Sequence, residues 1–231
     1  MFETTNRRLG LCVALFLSIA ICASAMGGVT LVFDPGTTNN TTALTGYQTH
    51  GDDMAGMKVT ASFLDGSSET AIWAATSGAA GAATGTGWVL SESGDTYGGS
   101  WNLNNTRNSG MSKLVIDAGP GNTVFDIDWS GYGTAGSANG WTFSSSTSFN
   151  IIATYKDLVA LTGNNPVGDL YRFLILDFTD ASGMNSSMSY IADTDNIKFA
   201  GDINPVPLPA AAWMGLALLG GFGALRLRRR A

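Results

Sequence analysis

The sequence predicts an all-β fold, an antiparallel β-sandwich of the jelly-roll type, for the central part of the chain. Short apolar stretches alternate with polar residues at a period of two, so that Met57, Val59, Ala61 and Phe63 share one side of a strand. Clusters of Gly, Ser, Thr, Asn and Asp separate these stretches, as in folds built from many short strands. Helical periodicity is weak throughout, and residues 155–161 are the one candidate for two helical turns.

Ten strands follow from this pattern. In chain order they are 29–33, 57–63, 69–74, 88–91, 113–117, 123–129, 149–155, 170–178, 188–192 and 197–200. The segment 117–122 contains two glycines and a proline and predicts a tight hairpin turn between two of these strands. The segments 76–87 and 131–140 are rich in small residues and predict long loops.

The charge of the body, residues 26–205, limits its partners. It contains six basic and seventeen acidic residues. A surface this acidic repels phosphate backbones, which excludes nucleic acid as a partner. The same charge favours divalent cations.

Residues 1–25 have the pattern of a secretory signal peptide. Arg7 and Arg8 precede a mainly apolar segment, and Ala23 and Ala25 form an A-x-A cleavage site, with cleavage expected after Ala25. The neighbours of the two arginines fit a twin-arginine signal poorly, so we expect export by the Sec route.

Both cysteines, Cys12 and Cys22, lie within this signal segment. Ile21 is too large for the small residue that precedes a lipoprotein cysteine, so lipid attachment at Cys22 is disfavoured. The mature protein is therefore expected to have neither a disulfide nor a thiolate ligand.

The C-terminal segment 206–231 carries a second targeting pattern. Residues 208–225 are uncharged and mostly apolar, and as a transmembrane helix they would extend roughly 27 Å, enough to cross a bilayer. Four arginines follow and are expected to stay on the cytoplasmic side: Arg226, Arg228, Arg229 and Arg230. Pro207 and Pro209 keep the preceding residues extended, a shape that suits a protease active site.

A motif precedes the apolar span, formed by Val206, Pro207, Leu208, Pro209 and Ala210. The order of motif, span and basic end resembles the PEP-CTERM class of sorting signals of Gram-negative bacteria, in its VPLPA variant. The resemblance implies processing by an exosortase, membrane anchorage during sorting, and delivery to the cell surface or extracellular matrix. Leu208 stands where the commonest form has Glu, which implies a variant-specific exosortase. The alternative is a plain membrane anchor that is never cut.

A weaker resemblance covers about half of the body. The segments 94–103, 112–129 and 168–199 look like the ectodomain of many PEP-CTERM proteins. This resemblance implies one β domain that ends just before the sorting signal, and it implies no activity.

The candidates for catalysis are few. His50 is the one histidine, and without a G-x-S-x-G motif or a cysteine ligand it indicates neither a serine hydrolase nor a zinc enzyme. Asp126 and Asp128 share one face of a predicted strand, at a spacing compatible with a glycosidase pair. Phe125 and Trp129 lie on the other face, so the simpler interpretation leaves the aspartates in water.

Calcium is the favoured cofactor. Asp193, Asp195 and Asn196 place three oxygen-bearing side chains at the start of the last predicted strand, and such hard oxygen ligands suit Ca²⁺. Asp34, at the end of the first strand, is the predicted partner. The alternative is that Asp193 and Asn196 only cap a turn.

Aromatic residues are the remaining candidates for binding. Trp141 and Tyr132 border a glycine-rich stretch and are predicted to form a platform on which a sugar ring stacks, whereas Trp101 and Trp129 are assigned to the core. Taken together, the sequence favours a non-enzymatic exported surface protein with a structural or adhesive role. A carbohydrate-binding module for exopolysaccharide is the first alternative, and an envelope glycosidase is the second.

Overall fold

The computed structural model describes residues 27–46, 48–127, 133–137 and 139–199. These residues form an all-β fold, which confirms the predicted class. The strands are β1 (Val29–Asp34), β2 (Asn39–Gly46), β3 (Lys58–Phe63), β4 (Ser68–Ile72), β5 (Ala74–Ala75), β6 (Ala80–Gly85), β7 (Trp88–Ser93), β8 (Trp101–Asn105), β9 (Met111–Asp117), β10 (Thr123–Asp126), β11 (Ile151–Leu161), β12 (Leu170–Phe178), β13 (Ser187–Tyr190) and β14 (Asp193–Phe199).

Nine strands form a mixed sheet in the order β1-β11-β2-β14-β10-β12-β9-β3-β4, in which β11 also pairs with β12. The long strand β11 joins β1 and β2, and both of these pair with it in parallel. The other pairings are antiparallel. The expectation of a purely antiparallel arrangement is therefore wrong at β11.

The other five strands form an antiparallel sheet in the order β13-β8-β7-β6-β5. Both sheets contribute side chains to one buried apolar cluster. Val59 and Leu174 come from the larger sheet, and Leu90 and Leu103 come from the smaller one. Trp101 lies in this cluster, where its ring stacks on Tyr190 at 5.9 Å between centroids.

Strand β3 shows why the alternation predicted strands correctly. Val59, Ala61 and Phe63 are buried, while Lys58 is exposed and Thr60 is half-buried. One face of the strand therefore packs on the core and the other meets solvent, as a period of two requires.

Two predicted segments have a different structure. The predicted loop 76–87 contains β6, whose small residues pair along their whole length with β7. The candidate helix 155–161 is the second half of β11. Asp157, within this strand, has a positive φ of 61°, and its Oδ1 accepts a hydrogen bond from the Thr37 N–H where the chain turns from β1 into β2.

The predicted hairpin turn at 117–122 is also wrong. The chain makes a short 3₁₀ turn at Gly119–Gly121, but β9 and β10 lie on opposite sides of β12 and do not pair with each other. The Ala118 N–H donates to the Arg172 carbonyl, and the Arg172 guanidinium binds the Asp117 carboxylate through two N–H groups, at 2.8 and 2.9 Å. These bonds attach the connection between β9 and β10 to β12, the strand that it crosses.

The targeting segments 1–25 and 206–231 lie outside the described residues, so the signal peptide, the sorting motif and the predicted membrane helix stay predictions. Within the described ranges, no helix has the length and apolar character needed to cross a membrane.

Candidate metal centre

Three buried aspartates meet where β10 and β14 lie side by side. Asp126 is the last residue of β10, and Asp193 and Asp195 are the first and third residues of β14. The register places Asp126 opposite Asp193 and Val124 opposite Asp195. Residues directly opposite one another share a face, as do residues two apart on a strand, so all three carboxylates lie on the same face of the sheet. We call this group the aspartate triad.

The carboxylates of the aspartate triad are close enough to bind one ion. Each residue offers an oxygen, and these oxygens all lie within 4.8 Å of one another. Two oxygens that coordinate one Ca²⁺ at about 2.3–2.6 Å are at most about 5 Å apart. None of the three residues is more than 1% exposed, so water does not solvate these charges as it would at the surface.

Hydrogen bonds satisfy only part of the triad. The Ser137 hydroxyl donates to Asp126 Oδ2 at 2.6 Å, and the Thr96 hydroxyl donates to Asp193 Oδ1 at 2.9 Å. Asp193 Oδ2 and both carboxylate oxygens of Asp195 accept no hydrogen bond from any described residue. A buried carboxylate without donors is strongly unfavourable, and a bound cation would supply the missing partner.

The pKa values of two triad carboxylates also favour a bound cation. Burial raises the pKa of Asp193 to about 8, and the nearby Asp195 and Asp126 carboxylates raise it further. Burial also raises the pKa of Asp195 to about 7; the Ser137 hydroxyl lowers it, and the Asp126 and Asp169 carboxylates raise it further. These shifts record the cost of several negative charges in one dry place, and a divalent cation reverses that cost.

The donor set suits a hard cation. All three ligands are carboxylates, which favour Ca²⁺, Mg²⁺ or Mn²⁺ over metals that take thiolate or imidazole. Carboxylates that bind through one or two oxygens suit the six to eight ligands and flexible geometry of Ca²⁺, whereas Mg²⁺ demands an octahedron and usually keeps several waters. The buried triad therefore fits Ca²⁺ best.

Gly140 and Trp141 pack against the triad. Gly140 packs so tightly on Asp126 that a Cβ atom there would collide with the carboxyl group. The Trp141 N–H donates to the Asp126 carbonyl at 3.0 Å, and the Asp193 N–H donates to the Trp141 carbonyl at 3.0 Å. Nearby, both the backbone N–H and the hydroxyl of Thr134 donate to the buried Asp169 carboxylate.

Two of the predicted calcium ligands lie elsewhere. Asp34 ends β1, which β11 and β2 separate from β14 in the sheet, and its carboxylate binds Lys156 Nζ at 3.1 Å. Asn196 lies opposite Thr123, on the other face of β14 from Asp195. The expectation that Asp34 and Asn196 complete the site is therefore wrong, and Asp126 takes that place beside Asp193 and Asp195.

The interpretation of Asp126 as a solvent-exposed strand residue is wrong as well, because its side chain is fully buried. Its predicted catalytic partner Asp128 lies outside the described residues. His50 is half-buried, with Nδ1 3.5 Å from the Asp53 carboxylate. The sequence held one signal for the triad, the Asp193-Thr194-Asp195 run, but nothing in it showed that Asp126 is the strand neighbour.

The aromatic candidates divide between core and surface. Trp101 is buried, as expected for a core residue, whereas Trp141 is 41% exposed. The Trp141 ring lies 6.1 Å from that of Tyr97, which is 45% exposed. We call these two residues the aromatic pair. The predicted partner Tyr132 lies outside the described residues, as does Trp129.

A groove of about 620 Å³, with both polar and apolar walls, adjoins the aromatic pair, and we call it the polar groove after its amide and carboxylate side chains. Its walls include Gln48, Asp95, Tyr97 and Asn139, together with residues 133–137. Ser137 belongs both to this wall and, through its hydrogen bond to Asp126, to the surroundings of the triad.

Comparisons of the chain with models of protein families, with curated proteins and with solved structures found no match.

Proposed function

We propose that this chain is an exported cell-surface or extracellular-matrix protein with a structural or adhesive, non-enzymatic role, whose β body is stabilised by calcium bound at the aspartate triad. The observation that carries the proposal is a set of three carboxylate oxygens, on Asp193 and Asp195, that are buried beside Asp126 and have no hydrogen-bond donor among the described residues. A cation there joins β10 to β14, the last described strand, and so fastens the end of the body to its centre.

Export and calcium support each other in this proposal. Extracellular calcium modules commonly work at dissociation constants of about 10⁻⁴–10⁻³ M, because the ion is abundant outside cells. The strongly acidic body draws cations toward its surface. With no disulfide expected in the mature protein, a bound ion supplies a cross-link of another kind.

The proposal also includes the architecture of the body. Two sheets that share one apolar cluster are best explained as the two layers of a β-sandwich, with the nine-stranded sheet packed on the five-stranded one. A jelly-roll arrangement of this kind would leave the strand ends, where the triad and the polar groove lie, as the binding end of the domain.

Sorting is the second component. In the proposed route the chain is exported through Sec, held in the membrane by residues 208–225, and passed to an exosortase that recognises 206–210. The support is the order of motif, apolar span and arginine cluster in the sequence. The expected product is a body released to, or attached at, the cell surface or matrix.

Calcium binding is tested on protein recovered from the envelope or medium of a host that expresses the full chain. After treatment with EDTA, titration with CaCl₂ in a calorimeter should give one binding site per chain, and thermal unfolding should move to higher temperature as calcium is added. Unchanged unfolding at millimolar calcium would overturn the proposed cation site.

Sorting is tested by the intact mass of the same protein in each cell fraction. Processing predicts a species that starts at Met26 and ends within 206–210. A species that still carries Arg230 would leave the tail as a plain anchor and refute the exosortase step.

A further inference from the structure

The aromatic pair presents two rings to solvent at one end of the fold. Tyr97 and Trp141 lie 6.1 Å apart with their ring planes tilted by 58°, and 45% and 41% of their surfaces are exposed to solvent. Large aromatic surfaces left open in this way are typical of binding sites.

The polar groove begins at Tyr97 and supplies hydrogen-bonding groups beside these rings. The amides of Gln48 and Asn139 are exposed along its wall, and both donate and accept hydrogen bonds. Asp95 adds a carboxylate acceptor on the same wall. A cleft of about 620 Å³ is within the size range of small-ligand sites.

The chemistry of this surface selects among ligands. Aromatic faces bind apolar C–H surfaces, whereas amides and a carboxylate bind hydroxyl groups. A ligand that has both is a sugar. A phosphorylated or acidic ligand would meet Asp95 and the negative charge of the body, which disfavours nucleotides and nucleic acids.

We propose that the aromatic pair and the polar groove together form a binding site for a neutral polysaccharide, and that the cation at the aspartate triad holds this site in shape. The inference rests on the proposed function for the cation, while the sugar contacts themselves rest on the groove alone. It differs from the sequence prediction in its residues, since Tyr97 rather than Tyr132 accompanies Trp141.

The coupling between the two sites runs through short hydrogen bonds. The backbone of Trp141 is held between Asp126 and Asp193, with N–H and carbonyl each bonded at 3.0 Å. Tyr97 follows Thr96, whose hydroxyl donates to Asp193 Oδ1 at 2.9 Å and lies 3.1 Å from the Thr194 hydroxyl.

The groove wall is tied to the triad in the same way, because Ser137 donates to Asp126. Trp141 is thus held by the backbone of two triad residues, while Thr96, next to Tyr97, and Ser137, in the groove wall, are held by triad carboxylates. Repulsion among those carboxylates, when no cation neutralises them, would loosen all three attachments.

The test is affinity electrophoresis of the mature protein in gels that contain the host's own exopolysaccharide, freed of protein, run with 2 mM CaCl₂ or with EDTA. In calcium we expect the polysaccharide to slow the wild-type protein. Tyr97→Ala and Trp141→Ala should bind roughly tenfold more weakly, while calorimetry gives them the wild-type calcium affinity. Phe33→Ala is the matched control, because Phe33 is another 45%-exposed aromatic residue, on β1, away from the groove.

The possible outcomes distinguish the sugar site from its coupling to the cation. Full binding by Trp141→Ala and Tyr97→Ala, or no retardation of the wild-type protein, overturns the sugar site. Binding by the wild-type protein that needs the aromatic pair but persists in EDTA overturns the coupling and leaves the sugar site in place. If the wild-type protein binds the polysaccharide but does not bind calcium, the proposed cation site is refuted and the sugar site remains.

Discussion

Asp126 and Asp193 face each other directly across the β10–β14 pair, far apart in the chain and yet opposite partners in the sheet. Like charges at directly opposed positions destabilise a sheet, the more so when both are buried. The pairing is therefore hard to explain as a packing device, and it becomes favourable when a divalent cation lies between the strands. The consequences of this relationship can be measured.

The variant Asp195→Asn should show separately how much the triad destabilises the calcium-free protein and how much bound calcium stabilises it. In EDTA at pH 8 the variant should be at least as stable as the wild-type protein, because a buried, unpartnered carboxylate has been removed. Calcium at 100 times its dissociation constant should stabilise the wild-type protein by about 2.7 kcal/mol and leave the variant nearly unchanged. Thermal unfolding with and without calcium checks both expectations.

The matched control is Asp177→Asn, which removes the same charge from a surface pair with Lys113. Exposed pairs of this kind contribute at most about 1 kcal/mol, so this variant should keep the full calcium response. A wild-type response in Asp195→Asn would refute the triad as the cation site.

Glu92 predicts a pH dependence of stability that is separate from the triad. Burial raises the pKa of this side chain to about 8; the Asp95 and Asp52 carboxylates add to the shift, and the Ser93 backbone N–H opposes it. The folded state therefore binds the proton more tightly than the unfolded state, and the free energy of unfolding should fall as the pH rises from about 4.5 to 8. A shift of this size corresponds to a loss of up to about 5 kcal/mol.

Glu92→Gln should reduce this slope to the part that Asp193 and Asp195 contribute, so that the variant is more stable than the wild-type protein at pH 9, measured by urea unfolding in EDTA. Glu69→Gln is the control of opposite sign. The Thr86 N–H and the Trp88 indole N–H hold the pKa of Glu69 below its usual value, so its contribution is present at neutral pH and is lost in acid. Equal slopes in the wild-type protein and Glu92→Gln would contradict the assignment.

Gly140 should tolerate no side chain, because of its contact with Asp126. Its backbone conformation is open to other residues, so the cost of Gly140→Ala comes from the collision of the new Cβ with the carboxyl group. We expect a loss of about 1–3 kcal/mol in stability and a weaker calcium response. Gly78→Ala is the control, since a Cβ there meets nothing within 4 Å. Similar unfolding curves for the two variants would show that the contact is unimportant.

Trp101 should be the more sensitive of two tryptophans to replacement by phenylalanine. Its buried indole N–H donates to the Ala192 carbonyl at 2.9 Å, next to the start of β14. Trp101→Phe leaves that carbonyl without its donor and opens a cavity, for an expected loss of about 2–4 kcal/mol. Trp141→Phe at the surface should cost less than about 1 kcal/mol, and comparable losses in urea unfolding would argue against this account.

The sequence predicted those strands whose alternation reflects one buried face, such as β3. It missed β2, β6 and β8, because Asn39–Gly46, Ala80–Gly85 and Trp101–Asn105 contain mostly small and polar residues that resemble loops. In β11 the residue Asp157, which has a positive φ, lies where the strand partner changes from β1 to β2. The residues beyond it, 158–161, are all apolar, so they lack the alternation that marks a strand.

The candidate site could be predicted only in part for a similar reason. Asp193 and Asp195 are close in sequence, so their pattern indicated a cation site. Asp126 joins them only through the pairing of β10 with β14, and strand order in a sheet of nine strands cannot be derived from local periodicity. Tyr97 joins Trp141 through tertiary contacts in the same way.

The position of β14 also bears on when the molecule folds. This last described strand lies inside the larger sheet, between β2 and β10, rather than at its edge. Its pairings with β2 and β10 therefore form only after synthesis has passed Phe199. In the proposed export route, the aspartate triad would be complete only after β14 emerges on the far side of the membrane, because Asp193 and Asp195 lie on that strand. Capture of the ion would then follow export.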